Sequence, residues 1–260
     1  PRRVLVVGGG PAGMEAAIIA SARGQEVILA EKSDRLGGNL VPAAAPYFKE
    51  DLRSFLKLLR RRGEASSTKV LCGTMVTAKL ISQLRPEVLV VAIGAESMRP
   101  PIPGLDSSIV TMAVDAELHP EKLGKRVVII GGGLVGCELA ISLAHEGREC
   151  TIVEMRDMVA MDVSSFYRGG LMPQLEQAAH LRTGAAVCGV EPDGVMIRTA
   201  HGQEKIPADS VVCAAGFRPD YRQVDELCAQ VPESYVIGDC QKVGQIYQAM
   251  NQGYFTARRI

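Results

Sequence analysis

Apolar positions in this chain fall into short unbroken runs, each ending at a glycine turn and followed by a longer mixed stretch. Arg3 to Val7 reads as a strand of the kind buried on both faces of a parallel sheet. It feeds Gly8-Gly9-Gly10-Pro11-Ala12-Gly13 and then an Ala-rich helical stretch, Met14 to Arg23, which Gly24 stops. A second strand, Glu26 to Ala30, ends at Glu31 and completes a βαβ opening. Tyr47 to Arg62 reads as an amphipathic helix, with Leu52, Phe55, Leu56 and Leu59 on one face and arginines opposite. Lys69 to Cys72 and Glu87 to Ile93 are further strands, and Pro100, Pro101, Pro103 and Gly104 make a stiff segment expected at a domain boundary.

The opening pattern then repeats after about 123 residues. Arg126 to Ile130 is a strand, Gly131-Gly132-Gly133-Leu134-Val135-Gly136 a glycine loop, and Cys137 to His145 a helix ended by Gly147. Glu149 to Val153 is the strand that closes on Glu154. This interval suits a duplicated domain and is far too long for a solenoid unit. Ser164 to Ala179 has helical character, interrupted by Gly169, Gly170 and Pro173. Turns at Asp193-Gly194 and His201-Gly202 predict a small antiparallel meander, followed by a buried strand, Val211 to Ala215. The pattern closes with Ser234 to Ile237, Gly238-Asp239 and a helix from about Gln245 to Arg258.

Length and composition narrow the classes. A chain of 260 residues accommodates two domains of about 100–150 residues. Lys plus Arg equals Asp plus Glu at 29 each, so global charge argues for neither nucleic acid nor an anionic membrane surface. No apolar run approaches a membrane span. The seven cysteines are scattered with no C-x-x-C pair, which points to buried structural thiols and a reducing cytoplasm. The chain opens on Pro1, two residues before a core strand, and we read it as a fragment of something longer on its N-terminal side.

The glycine loops carry the chemistry. A dinucleotide pyrophosphate needs backbone N–H groups at a helix N-terminus with no side chain in the way. Gly8 permits the tight turn, Gly10 lets the backbone approach the phosphates, and Gly13 lets the helix pack on the strand. Glu31, at the end of the next strand, is placed to accept from ribose hydroxyls. Gly131, Gly133, Gly136 and Glu154 repeat the set. An acid at Glu154 favours a free 2′-hydroxyl, hence NADH over NADPH, although Arg156 leaves a 2′-phosphate open. The expected fold class is therefore α/β, built from two Rossmann-like, three-layer dinucleotide-binding domains.

The order of these motifs resembles the two-dinucleotide-binding-domain flavoproteins, the pyridine nucleotide-disulfide oxidoreductase-like family. Further pieces match: Arg35-Leu36-Gly37-Gly38-Asn39, Val91-Ala92-Ile93-Gly94-Ala95, Cys213-Ala214-Ala215-Gly216-Phe217-Arg218-Pro219, and Val236-Ile237-Gly238-Asp239. The resemblance implies FAD in the first domain and NADH in the second, with the NAD domain (107–223) inserted into a discontinuous FAD domain (1–106 and 224–260). It places Gly8, Gly10, Pro11, Ala12, Gly13, Glu31, Gly37, Gly38, Asn39, Val76, Gly94, Gly238 and Asp239 at FAD. It places Gly131, Gly133, Leu134, Val135, Gly136, Glu154 and Gly216 at NADH. Lys32 and Arg35 are either FAD contacts or plain surface, and Glu138 either faces the nicotinamide amide or is an ordinary helix glutamate.

Within the family, the disulfide reductases carry two close cysteines. Here Gly38-Asn39-Leu40-Val41-Pro42 has none and Cys137 stands alone, so disulfide exchange is not expected. Gly37 to Leu40 followed by Ala43 to Leu52, together with Gly238-Asp239-Cys240 and the ending, is similar to the C-terminal half of the 2,4-dienoyl-CoA reductase and 2-enoate reductase family. That likeness implies hydride transfer from NADH to FAD. Electrons would then pass to a 4Fe-4S cluster and FMN in a missing N-terminal barrel of the same polypeptide, which reduces an enoate or enoyl-CoA type substrate. No catalytic residue is assignable in this chain, and no metal site. Two other readings stand beside this one: a nucleotide-binding module holding ADP without turnover, and a free-standing NADH:carrier reductase. The four histidines, His119, His145, His180 and His201, show no metal spacing, and Arg60-Arg61-Arg62 reads as a solvated helix end.

Overall fold

The computed structural model describes all residues from Pro1 to Ile260. In chain order the elements are β1 (Arg3–Val7), α1 (Pro11–Ala22), β2 (Glu26–Ala30), α2 (Leu40–Ala43), α3 (Glu50–Ala65), β3 (Lys69–Leu71), α4 (Ala78–Leu84), β4 (Val88–Val91) and β5 (Glu96–Ser97). They continue with β6 (Val110–Met112), α5 (Ala113–Leu118), β7 (Arg126–Ile130), α6 (Leu134–His145), β8 (Glu149–Val153), α7 (Ser165–Ala178), β9 (Ala179–Arg182), β10 (Ala186–Glu191), β11 (Gly194–Thr199) and β12 (Gly202–Pro207). The last are β13 (Ser210–Cys213), β14 (Phe217–Arg218), α8 (Tyr221–Cys228), β15 (Ser234–Val236) and α9 (Ile246–Ala257). They form two compact units: Pro1–Ala44, Glu50–Glu96 and Phe217–Ile260 make the first, Ala45–Lys49 and Ser97–Gly216 the second.

The first unit is a five-stranded parallel sheet in the order β15-β4-β1-β2-β3. Alternate residues of its central strands point to opposite faces, as the pleat requires. Val4, Val6, Val88 and Val90 pack under α1, α3 and α9, whereas Leu5, Val7, Leu89 and Val91 pack against residues of α4 and α8. Being covered on both faces, these strands need unbroken apolar sequence. Each fully buried Leu contributes about 2 kcal/mol of transfer free energy. Gly253 lets α9 lie directly on α1, because a Cβ there would stand 2.4 Å from the Ala12 carbonyl oxygen.

The second unit repeats the plan in the order β6-β13-β7-β8-β9, again all parallel. One face carries α5, α6 and α7 over Val127, Ile129 and Ile152. The other is covered by an antiparallel meander, β10-β11-β12, whose Val195 and Ile197 meet Val128, Ile130 and Val153. Both units thus have three layers, but helices form the third layer in one and strands in the other. No helix is long and apolar enough to cross a membrane.

The structure corrects several sequence expectations. The helix read as Tyr47 to Arg62 starts at Glu50 and runs to Ala65, and Tyr47 lies outside it. The α7 helix is unbroken through Gly169, Gly170 and Pro173, because Leu171 and Leu175 anchor it in the core and packing overrides propensity. The arginine cluster is not simply solvated. Arg60 donates through Nε to the Leu36 carbonyl at 3.0 Å, and Arg62 pairs with buried Glu15 at 2.8 Å. Cys72 is exposed and Cys188 and Cys228 are half-buried, so only four of the seven thiols match the expected burial.

Replacing Gly253 by Ala is expected to destabilise the first unit by about 2 kcal/mol, since the new methyl group must push α9 off α1. Urea unfolding of the variant checks this, and an unchanged midpoint would contradict the close packing.

Candidate functional site

Each unit presents its glycine loop at the carboxyl end of its central strand, where the chain order in the sheet reverses and open α/β sheets bind ligands. The geometry is set by backbone crowding. Gly8 has φ 106° and would place a Cβ 2.3 Å from the Ala92 carbonyl oxygen. A Cβ on Gly13 would stand 1.9 Å from the Gly8 carbonyl oxygen. Both positions therefore exclude any side chain, for the tight turn and for seating the helix on the strand. Gly10, the N-cap of α1, has no atom within 4 Å of where its Cβ would be, which leaves open space at the helix N-terminus. That space fits a pyrophosphate, although Pro11 at the first helical position brings no N–H.

Glu31 is buried, and its carboxylate accepts from the Gly9 N–H at 2.6 Å and the Ser33 N–H at 2.8 Å. It is thereby fixed at the mouth of the loop. Gly37 donates its N–H to the Gly9 carbonyl at 2.8 Å, and a Cβ on Gly38 would lie 3.0 Å from Gly10 Cα, so this second glycine pair lies over the first loop. Asn39 is exposed and donates to the Ala95 carbonyl at 3.4 Å. Gly238 approaches the same helix start, a Cβ there meeting that of Ala12 at 3.0 Å, and its neighbour Asp239 accepts from the Gly244 N–H at 3.1 Å. Burial raises the Asp239 pKa from its ordinary value, against the lowering effect of the Gly244 N–H. Around Gly94, which has φ 74°, there is open space as well. Val76 is part of the core beside Ile81, Lys32 pairs with Glu96 at 4.0 Å, and Arg35 is exposed.

In the second unit, Gly131 has φ 111° with a would-be Cβ 2.5 Å from the Ala214 carbonyl oxygen, and Gly136 repeats the role of Gly13 at 2.1 Å from the Gly131 oxygen. Glu154 accepts from the Gly132 N–H at 2.7 Å and the Arg156 N–H at 2.9 Å, the arrangement of Glu31 over again. Leu134 opens α6, Val135 is exposed beside it, and Gly216 has φ 98° with open space around it.

Three further features of the second unit escape the sequence reading. Glu138 is buried and paired with the Lys49 ammonium, and it accepts from the Tyr167 hydroxyl at 2.5 Å. It is not a plain surface glutamate. Burial by itself would lower the Lys49 pKa, but hydrogen bonds to Glu138 and Tyr167 outweigh it and leave the ammonium held above its ordinary value. Lys49 reaches this position because Ala45–Lys49 packs in the second unit, where Tyr47 stacks on His145 with centroids 3.9 Å apart. Sequence spacing carries no trace of that contact. Beside it, a cavity of about 130 Å³ is lined by Tyr47, Glu117, Leu139, Ser142 and His145. Burial first, then the negative charge of Glu138, push the Glu117 carboxyl up to about 8. The third feature is Asp162, whose two carboxylate oxygens each lie 3.0 Å from the Leu134 N–H at the start of α6. Its signal was available, since the duplication interval pairs it with Asn39.

No group of three His, Cys, Asp or Glu side chains could hold a metal ion. No thiol pairs with another.

Fold and site together define an oxidoreductase class with two dinucleotide-binding units. The family model for pyridine nucleotide-disulphide oxidoreductases matches residues 2–253, and the chain belongs to that family. It is 36% identical over 258 residues to a bilirubin reductase from Mediterraneibacter gnavus, covering 98% of this chain and 40% of the relative. It is 37% identical to an NADH oxidase from Thermoanaerobacter brockii, covering all of this chain and 41% of the relative. Among solved structures, a 2-naphthoyl-CoA reductase in complex with 2-naphthoyl-CoA superposes with a TM-score of 0.94 at 34% identity, over all of this chain and 40% of that one. The chain thus spans about 40% of the length of these relatives. The similarity to the 2,4-dienoyl-CoA reductase type agrees with the branch read from the sequence.

Glu117 gives a pH test. Its folded-state pKa is about 8 against an ordinary 4.5, so the native chain holds a proton that the unfolded chain has already shed. Stability should therefore fall as pH rises from about 4.5 to about 8 and change no further above that. Glu117→Gln should unfold at the same temperature as the parent near pH 4.5 but be more stable at pH 8, by on the order of 3 kcal/mol. Thermal unfolding at the two pH values checks this, and equal differences at both would contradict the assignment.

Proposed function

We propose that this chain is the electron-input module of an NADH-dependent flavoprotein reductase, with FAD held by the first unit and NADH by the second. The observation that carries the reading is the repeated loop with its acid. In both units a carboxylate fixed by the loop's own backbone N–H stands where a ribose hydroxyl can donate to it. The name of one relative, NADH oxidase, supports the choice of NADH.

Bound FAD would supply the hydride acceptor that protein side chains lack. The chain's own residues bind and orient. Gly8, Gly10 and Gly13 shape the first pyrophosphate cradle, with Gly37, Gly38 and Asn39 across from it. Glu31 accepts from the adenosine ribose, Asp239 faces the ribityl side, and Gly94 and Val76 line the remainder. Gly131, Gly133 and Gly136, Leu134 and Val135 do the same for NADH, with Glu154 on the ribose and Gly216 opposite. Glu138 is held in one orientation by Lys49 and Tyr167, which suits an acceptor for the carboxamide of the nicotinamide.

Electrons would then leave through an iron–sulfur cluster and FMN in a further, barrel-shaped domain of the same polypeptide, which reduces a conjugated enoate or acyl-CoA substrate. Support comes from the length of the relatives beyond this chain and from the 2-naphthoyl-CoA bound to one of them. Balanced charge argues against a nucleic-acid partner, and the unpaired thiols favour a reducing, cytoplasmic setting.

The purified chain reconstituted with FAD should absorb near roughly 370 and 450 nm and bleach on anaerobic addition of NADH. A flavin that stays oxidised would refute hydride transfer. Glu154→Ala should erase the preference for NADH over NADPH by raising KM for NADH about tenfold, and Glu31→Ala should lose FAD on gel filtration. Full flavin retention by the latter would remove the ribose assignment.

A further inference from the structure

The two glycine loops match in backbone and differ in charge. The first strand, first helix and second strand of one unit recur in the other at a constant interval, Arg3–Val7 as Arg126–Ile130, Pro11–Ala22 as Leu134–His145, and Glu26–Ala30 as Glu149–Val153. The same interval pairs Gly37 with Ala160, which lie over their loops alike. Gly37 donates to the Gly9 carbonyl at 2.8 Å and Ala160 to the Gly132 carbonyl at 2.7 Å. Two residues further on, the copies part. The first has Asn39, whose amide turns away to the Ala95 carbonyl, over a helix that begins with Pro11 and offers no N–H at that position. The second has Asp162 over a helix that begins with Leu134, and the carboxylate takes the Leu134 N–H with both oxygens at 3.0 Å. Donor and carboxylate are both present in one copy, and both absent in the other.

This places a fixed negative charge against the N-terminus of α6, where the diphosphate of a dinucleotide has to lie. The Cβ position of Gly133 is open except for this group, Asp162 Oδ2 standing 3.2 Å from it, whereas the corresponding position of Gly10 has no neighbour within 4 Å. Two anions cannot share the first turn of one helix, because they compete for the same donors and the same end of the dipole.

Resting on the reading of this loop as the NADH site, we propose that Asp162 is an internal competitor for the diphosphate of the nicotinamide dinucleotide and sets how tightly the second site, unlike the first, holds its ligand. The exchange needs little movement. Val159 and Ala160 are buried and pinned to the loop, Ala160 in the left-handed region at φ 54°, while Met161 and Asp162 are exposed. Rotation of the Asp162 side chain into solvent vacates the helix end and leaves the rest of the loop in place. The asymmetry suits the two roles. The flavin must stay bound through many turnovers, whereas the nicotinamide nucleotide must enter reduced and leave oxidised each time.

The experiment is calorimetric titration of the full chain and of Asp162→Ala and Asp162→Asn with NADH, ADP-ribose and adenosine. Asp162→Ala should tighten NADH and ADP-ribose about tenfold. Asp162→Asn, which keeps an acceptor for the Leu134 N–H but drops the charge, should fall between it and the parent. Adenosine, which has no phosphate, should bind all three alike. Unchanged or weaker NADH and ADP-ribose binding by both variants, with the parent binding NADH, would overturn the competitor and leave the NADH reading intact. A parent and variants that all bind neither NADH nor ADP-ribose would overturn both. Should Asp162→Ala fail to fold, the isosteric Asp162→Asn decides alone, tighter diphosphate binding supporting the proposal and unchanged binding refuting it.

Discussion

Everything at the two sites depends on one close approach, the last glycine of each loop against the carbonyl oxygen of the first. A methyl group at Gly13 would lie 1.9 Å from the Gly8 oxygen, and at Gly136 2.1 Å from the Gly131 oxygen. Only a hydrogen fits, so the helix starts directly on the end of the strand. Its free N–H groups then face the space beyond the sheet. The same tight turn aims the middle glycine's N–H at the acid closing the next strand, Glu31 or Glu154. The helix start and the acid beside it are thus fixed together by backbone packing and by backbone N–H groups that hold the carboxylate.

On this shared frame the units have diverged in what surrounds the loop. Helices cover the second face of the sheet in the first unit, and a three-stranded meander covers it in the second. The second unit also collects buried charge. Glu138, Lys49 and Tyr167 form one hydrogen-bonded group, with Glu117 nearby, its carboxyl pKa pushed up by burial and by the charge of Glu138. A buried ion pair of this sort costs desolvation and gains little stability for its trouble. What it supplies is a Glu138 carboxylate held in one orientation. Besides Glu31, the first unit has near its loop the exposed amide of Asn39 and the carboxylate of Asp239, which accepts from the Gly244 N–H.

The sequence by itself determined the fold class, the doubling of the domain and the place of both glycine loops. Those features follow from local rules: unbroken apolar runs for doubly covered strands, glycines where no side chain fits, and an acid one strand later. The meander was legible for the same reason, from turn residues at Asp193-Gly194 and His201-Gly202. Tertiary structure alone decided where long-range packing or charge outweighs local preference. It carried α7 straight through Pro173 by burying Leu171 and Leu175, and it bound Arg60 and Arg62 to Leu36 and Glu15 across the first unit. It brought Lys49 to Glu138, 89 residues away in sequence, and set Asp162 against the start of α6, 28 residues back. Such pairings are chosen by the desolvation and geometry of particular side chains in the folded state, and no period or motif along the chain encodes the contacts themselves, even where, as at Asp162, the duplication interval marks the position.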